Sequence, residues 1–307
     1  MLVLDVSSET LLHSIFHTLA YADVFDYPLT AEEVYRYLTS ARASPQDVLR
    51  ALGDEECFAR VGDYFTLRGR EHIVETRKRR AGTSARLWTH ALRYGRMIAL
   101  LPFVRMVAVT GSLAMNNADE GKDIDFMIVT EPGHLWTARA LSLLIARYAR
   151  LTGVHLCPNY LITTNALQLQ DRSVYVAHEL AQMIPLSGMD VYGVIRRLNR
   201  WVDDYLPNAC DAPELPEGSR IARTWIFIRG VLELIFRFPL FTWFETWEMN
   251  RKAARLRREQ SASFESYFSA DICKGHIDRH GENAVTALAV RLQLPPLPLG
   301  EGRGEGI

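Results

Sequence analysis

Apolar residues recur at helical spacing from Leu11 to Asp23, and Thr30 followed by Glu33 is a capping-box signature that predicts a second helix running to about Leu38. Ser44-Pro45-Gln46-Asp47 starts a third, after which the short runs Phe58–Val61 and Tyr64–Leu67 are separated only by Gly62-Asp63, a hairpin signal. Leu87, Ala91, Tyr94, Met97, Ile98 and Leu101 mark another helix. The period then shortens: Val104–Thr110 and Lys122–Val129 are β-branched apolar runs, the segment from Pro132 to Thr152 is helical and stopped by Gly153, and Val154–Ile162 is again strand-like. Beyond it, Ser173–Pro185, Asp190–Tyr205 and Arg220–Phe238 show helical periodicity, with Trp201, Trp225, Trp243 and Trp247 as core anchors. From Leu294 the periodicity ends, which predicts a disordered tail.

The 307 residues, about twice the ~150 of an ordinary domain, divide on this pattern into 1–75, 76–170, 171–293 and the tail 294–307. The fold class expected is α+β: a small mixed sheet with flanking helices between an N-terminal helix-and-hairpin unit and a helical C-terminal domain. Hydrophobic residues at 48% and charged residues at 23% exclude a disordered chain. A net charge of −1 supplies no global field for nucleic acid or membrane. The stretch Trp225–Trp247 is broken by Arg229, Glu233, Arg237, Pro239 and Glu245, so it reads as a buried helical pair and no membrane is expected. The N-terminus has no basic start, and the four scattered cysteines form no CxxC pair; a cytoplasmic protein with reduced thiols is expected.

The local charge is uneven. Residues 1–76 hold six arginines against thirteen acids, whereas residues 77–118 hold Arg77, Lys78, Arg79, Arg80, Arg86, Arg93, Arg96 and Arg105 and no acid. Three helices and a hairpin resemble the winged-helix family, many of whose members bind DNA, but the acidic balance opposes a phosphate backbone and points to a structural or docking role. The basic segment reads either as a solvated face pairing with the acidic first unit or as a phosphate contact.

The chemistry lies between the two strand runs. Asp123 and Asp125 alternate with Ile124 and Phe126, so both carboxylates share one face while the apolar residues enter the core. Two carboxylates side by side repel each other unless a cation sits between them, and Mg²⁺ prefers such hard oxygen ligands together with waters and phosphates. Gly111 lets the backbone approach a phosphate closely, and the Ser112 hydroxyl with the helix start after it can donate to its oxygens.

Gly111-Ser112, a helix, then Asp123-Ile124-Asp125 on a strand resembles the core of the polymerase-β-like nucleotidyltransferase superfamily, over roughly residues 100–165. The winged-helix-like unit and helical remainder also look like bacterial proteins known only as nucleotidyltransferase-domain proteins. The resemblance implies a nucleotidyltransferase-type sheet, Ser112 as phosphate ligand, Asp123 and Asp125 as metal ligands, and Mg²⁺-dependent transfer of a nucleoside monophosphate from a nucleoside triphosphate to an acceptor hydroxyl. The acceptor is open: a small molecule, an RNA end or a protein. Family enzymes usually carry a third carboxylate on the next strand; here Asn159 stands there, an amide that cannot take a proton at neutral pH. His155, Asp171 and Glu179 are possible substitutes, none singled out by spacing, and Pro158 suggests an edge strand or a bulge that could re-aim Asn159. The alternatives are a non-catalytic nucleotide-binding protein with a degenerate site and a winged-helix DNA-binding regulator. Arg251–Arg258, the pair His276 and His280 as ligands, and Lys274 or His276 as a substrate contact are further candidates, read first as surface or packing.

Overall fold

The computed structural model describes residues 8–53, 58–211, 223–237, 243–252, 267–274 and 280–293. Of these, the residues up to Lys78, Tyr205–Ala209 and those from Asn283 form one compact unit, and Arg79–Asp204 with the rest from Cys210 to Glu282 form a second.

The first unit runs α1 (Ser8–Asp23), β1 (Leu29–Thr30), α2 (Ala31–Arg36), α3 (Pro45–Ala51), β2 (Phe58–Val61) and β3 (Tyr64–Leu67), its strands ordered β1-β3-β2. The expected capping box forms: the Thr30 hydroxyl accepts from the Glu33 N–H, and the Glu33 carboxylate accepts from the Thr30 N–H at 2.9 Å. Val61 faces Tyr64 across a two-residue turn, with Gly62 at φ +62° as such turns require. Ile15, Leu19, Val34, Leu38, Val48, Phe58 and Phe65 are buried. The C-terminal helix His280–Gln293 belongs here through Ala284 and Leu288, both buried, and an Arg291–Asp23 ion pair at 2.6 Å.

The second unit follows from α4 (Ile73–Ala99), whose residues up to Lys78 belong to the first, through β4 (Val104–Val109), α5 (Gly111–Ala114), β5 (Ile124–Thr130), α6 (Leu135–Leu151), β6 (Leu156–Thr163), α7 (Val174–Gln182), β7 (Ile184–Ser187), α8 (Met189–Leu198), α9 (Val202–Tyr205), α10 (Arg223–Phe236), α11 (243–252), β8 (Tyr267–Phe268) and β9 (Ile272–Lys274). A mixed six-stranded sheet has the order β7-β4-β5-β6-β9-β8. Among the described strands of this sheet only β5 and β6 pair in parallel, and α6 is the crossover such a pair needs. Ile124, Phe126 and Ile128 enter a core with Tyr94 and Ile98 of α4 and Leu135 and Trp136 of α6.

The stretch read as purely helical after residue 170 also supplies strands. The helix expected over 173–185 stops at Met183, whose ψ of 132° turns the chain into β7, where Pro185 pairs with Ala108 at the sheet edge. The helix expected over 190–205 breaks at Asn199, whose buried amide accepts from the Leu169 N–H and donates to the Leu167 carbonyl. The pair expected to bury the Trp225–Trp247 stretch is corrected more strongly: Leu234 is 75% and Trp243 63% exposed, while Glu245 and Glu248 are buried. Both acids have partners that explain this: Glu245 accepts from the Trp136 and Thr137 N–H groups at 2.7 Å, and Glu248 pairs with Arg251 at 2.5 Å. Among the described residues no helix is long and apolar enough to cross a membrane.

Candidate functional site

β4 delivers the chain to a turn pinned against β5. The Thr110 N–H donates to the Asp125 carbonyl at 3.1 Å, and Gly111 then takes φ +66° to open α5. A Cβ on Gly111 would lie 2.8 Å from Asp125 Oδ2, so a side chain there would be strained by its backbone angle and would push the Asp125 carboxylate aside. Behind the turn, the Ser112 carbonyl accepts from the Asn117 N–H at 2.8 Å, which holds Ser112 at the rim, partly exposed.

Alternation places the acids as the sequence implied. Ile124 and Phe126 are fully buried, Asp125 lies between them on the opposite face, and Asp123 stands just before β5, 51% exposed. Across the parallel register Asp125 faces Cys157, whose thiol is pushed up to about 12 by burial and then by the charges of Asp125 and Asp123, with a hydrogen bond to Asp125. His155 Nδ1 lies 3.7 Å from Asp123 Oδ1, and its carbonyl accepts from the Ile124 N–H at 2.9 Å.

β6 is not an edge strand: it lies between β5 and β9. Phe126 pairs with Pro158 and Met127 with Tyr160, so Asn159 is the extra residue of a bulge; its side chain lies outside the described structure. Beyond the bulge, Tyr160 takes the register position that continues the Asp125–Cys157 face, and it pairs with Lys274 on β9. Asp171 is exposed; it accepts from the Ser173 N–H at 3.0 Å, and its charge adds to burial in pushing Tyr160 up to about 12.

Of the possible substitute acids, Glu179 is the one brought to the turn. Ser173 caps α7 by accepting from the Val176 N–H, and Ala177, Leu180 and Ala181 bury the helix, which packs on α5. That phase hydrogen-bonds the Glu179 carboxylate to the Gly111 N–H and to Tyr175. Its pKa is raised to about 7, by burial first and by the Asp125 charge second, against the opposing pull of those hydrogen bonds and of Lys274. His178, its neighbour, is buried with its ring bonded to the Val174 carbonyl. Sequence reasoning missed Cys157 and Tyr175, and it marked Lys274 only as a secondary substrate contact. Cys157 was within reach of register reasoning, whereas Lys274 depends on a three-residue strand that no periodicity marks.

The basic lead-in serves the site from behind. One face of α4 holds the loop leading to Asp123: Arg80 pairs with Asp119 at 2.8 Å and donates to Asn117, Ser84 accepts from the Ala118 N–H, and Trp88 donates to Asn116. Arg79 and Arg86 add exposed pairs to Asp119 and Glu120, and Arg105 pairs with Glu131 and with Glu233 of α10. Arg77 and Lys78, which fall within the first unit, meet its acids Glu33 and Glu75, each at 2.7 Å. The pairing expected with the first unit is therefore directed mainly to acids of the second. Arg251 pairs with Glu248; the rest of the basic run to Arg258, His276, the His280 side chain and the tail lie outside the described residues.

Among the described residues no group of three or more His, Cys, Asp or Glu is placed to hold a metal ion. The donors present are hard carboxylate oxygens on an open strand end, which fits an ion that keeps waters and substrate oxygens in its shell. No family model matches this chain, and neither a curated protein nor a solved structure does.

Proposed function

We propose that the second unit is a polymerase-β-like nucleotidyltransferase, Mg²⁺-dependent, which moves a nucleoside monophosphate from a triphosphate to an acceptor hydroxyl. The observation that carries this reading is the contact between Gly111 and Asp125: the turn suited to a phosphate lies against the carboxylate suited to a metal, which stands where a side chain would begin. Asp123 and Asp125 would hold the ion, which when bound neutralises phosphate charge and orients the reacting groups. Ser112 donates to the phosphates from the rim of the turn, and Lys274, on the strand beyond Tyr160, adds positive charge to the same face. The α4 ladder fixes the loop between turn and acids, so the two halves of the site keep their spacing. The first unit, read as winged-helix-like, is proposed as a docking or structural element.

Incubation with Mg²⁺ and each α-labelled nucleoside triphosphate, with and without cell extract, tests the reading through label transfer and pyrophosphate release. Asp123→Ala is expected to abolish both while leaving the thermal transition within a few degrees of wild type; transfer retained in that variant counts against the mechanism. One observation favours a second reading, a nucleotide-binding protein without turnover: β6 brings no acid to the face of Asp125, only Cys157 and Tyr160. Triphosphate binding without transfer, unrestored by Asn159→Asp, would select it.

A further inference from the structure

We infer that Glu179 is the third acid of the site, supplied by helix α7 in place of the carboxylate that β6 lacks. The inference rests on the metal-dependent reading above and adds a residue to it.

The geometry is a convergence on one glycine. Gly111 has the Asp125 carboxylate at the place a Cβ would occupy and donates its N–H to the Glu179 carboxylate, so the two acids flank a single residue. Glu179 reaches it because α7 packs on α5, and it is steadied by Tyr175. Neither bond is needed to cap α7, which Ser173 already caps. A partly buried carboxylate placed on the same glycine as another carboxylate is a repulsive arrangement. A divalent cation on the Asp123–Asp125 side converts that repulsion into attraction. Glu179 then acts as a positioning charge: it sets the electrostatic depth of the site and fixes the first amide of the turn. That amide is already engaged, so phosphate is left to the Ser112 hydroxyl and the amides after it.

Mn²⁺ serves as the probe, its affinity measured by calorimetry and by the loss of free-ion EPR signal at pH 8, without nucleotide. Glu179→Gln keeps an acceptor for Gly111 and Tyr175 and removes only the charge. It is expected to weaken Mn²⁺ binding by about tenfold or more, the scale of one unit charge removed at short range from a divalent ion. The metal-free thermal transition should stay level or rise, since a repulsion is lifted, while the increment that Mn²⁺ adds to it shrinks. Glu179→Asp, which keeps the charge, should bind closer to wild type than Glu179→Gln does and guards against a folding defect. Wild-type Mn²⁺ affinity in Glu179→Gln overturns the inference. Asp125→Asn separates this failure from failure of the parent reading: if Asp125→Asn loses Mn²⁺ and Glu179→Gln does not, only the inference falls. If neither loses it, or wild type binds none, the metal reading falls and the inference with it.

Discussion

Gly111 is constrained twice, by a backbone angle that L side chains rarely adopt and by the Asp125 carboxylate in the space a methyl would need. Gly111→Ala is therefore expected to cost about 1–2 kcal/mol in urea unfolding from the left-handed conformation alone. It should also abolish label transfer, because Asp125 must move; a stable and active alanine variant would refute the contact. A different residue sets a pH dependence. The His134 ring stacks on Phe103 with centroids 3.5 Å apart, and burial holds its pKa below the usual 6.5. The folded state thus favours the neutral ring, so this contribution is present above the unfolded pKa of about 6.5 and is lost as pH falls through the lower folded value. His134→Phe keeps the stack and removes the titration, and its stability relative to wild type should grow between pH 7 and 5. Parallel urea-stability curves across that window would contradict the assignment.

At the scale of elements, α4 acts as a splint. Arg80, Ser84 and Trp88 are spaced by four, so one face of the helix meets successive residues of the loop before Asp123. Arg80→Met should lower stability by only about 1 kcal/mol, given the partly exposed Asp119, yet weaken Mn²⁺ binding by loosening that loop. Unchanged affinity would show that the loop holds its shape unaided. Much of this level was legible beforehand. Thr30 with Glu33, Gly62-Asp63 between two strand runs, and the alternation of Asp123 and Asp125 with Ile124 and Phe126 are local signals, and local hydrogen bonding and packing realise them. The partners of the α4 arginines were not legible, because charge sign restricts a partner's type and not its position. β7 and β9 were hidden as well: four and three residues are too few to show a period, and both exist by pairing with strands remote in sequence.

For the molecule as a whole, long-range closure decides where folding units end. Glu245 of α11 serves as the N-terminal cap of α6, accepting from the Trp136 and Thr137 N–H groups and the Thr137 hydroxyl. Glu245→Ala should cost about 3 kcal/mol, since buried donors lose a charged acceptor, and a loss under 1 kcal/mol would show that α6 finds another cap. The six-stranded sheet draws β4, β5 and β6 from before residue 170 and the other three strands from after it. A fragment of residues 76–170 should therefore lack a cooperative thermal transition. The bulge in β6 has a consequence for how the strand tolerates change in length. Pro158 pairs with Phe126 and Tyr160 with the next residue, Met127, so excising Asn159 leaves every strand partnership on both sides in register. A one-residue deletion, ordinarily ruinous in a central strand, is here expected to preserve the pairing, and it asks whether Asn159 serves the chemistry or only lengthens the chain.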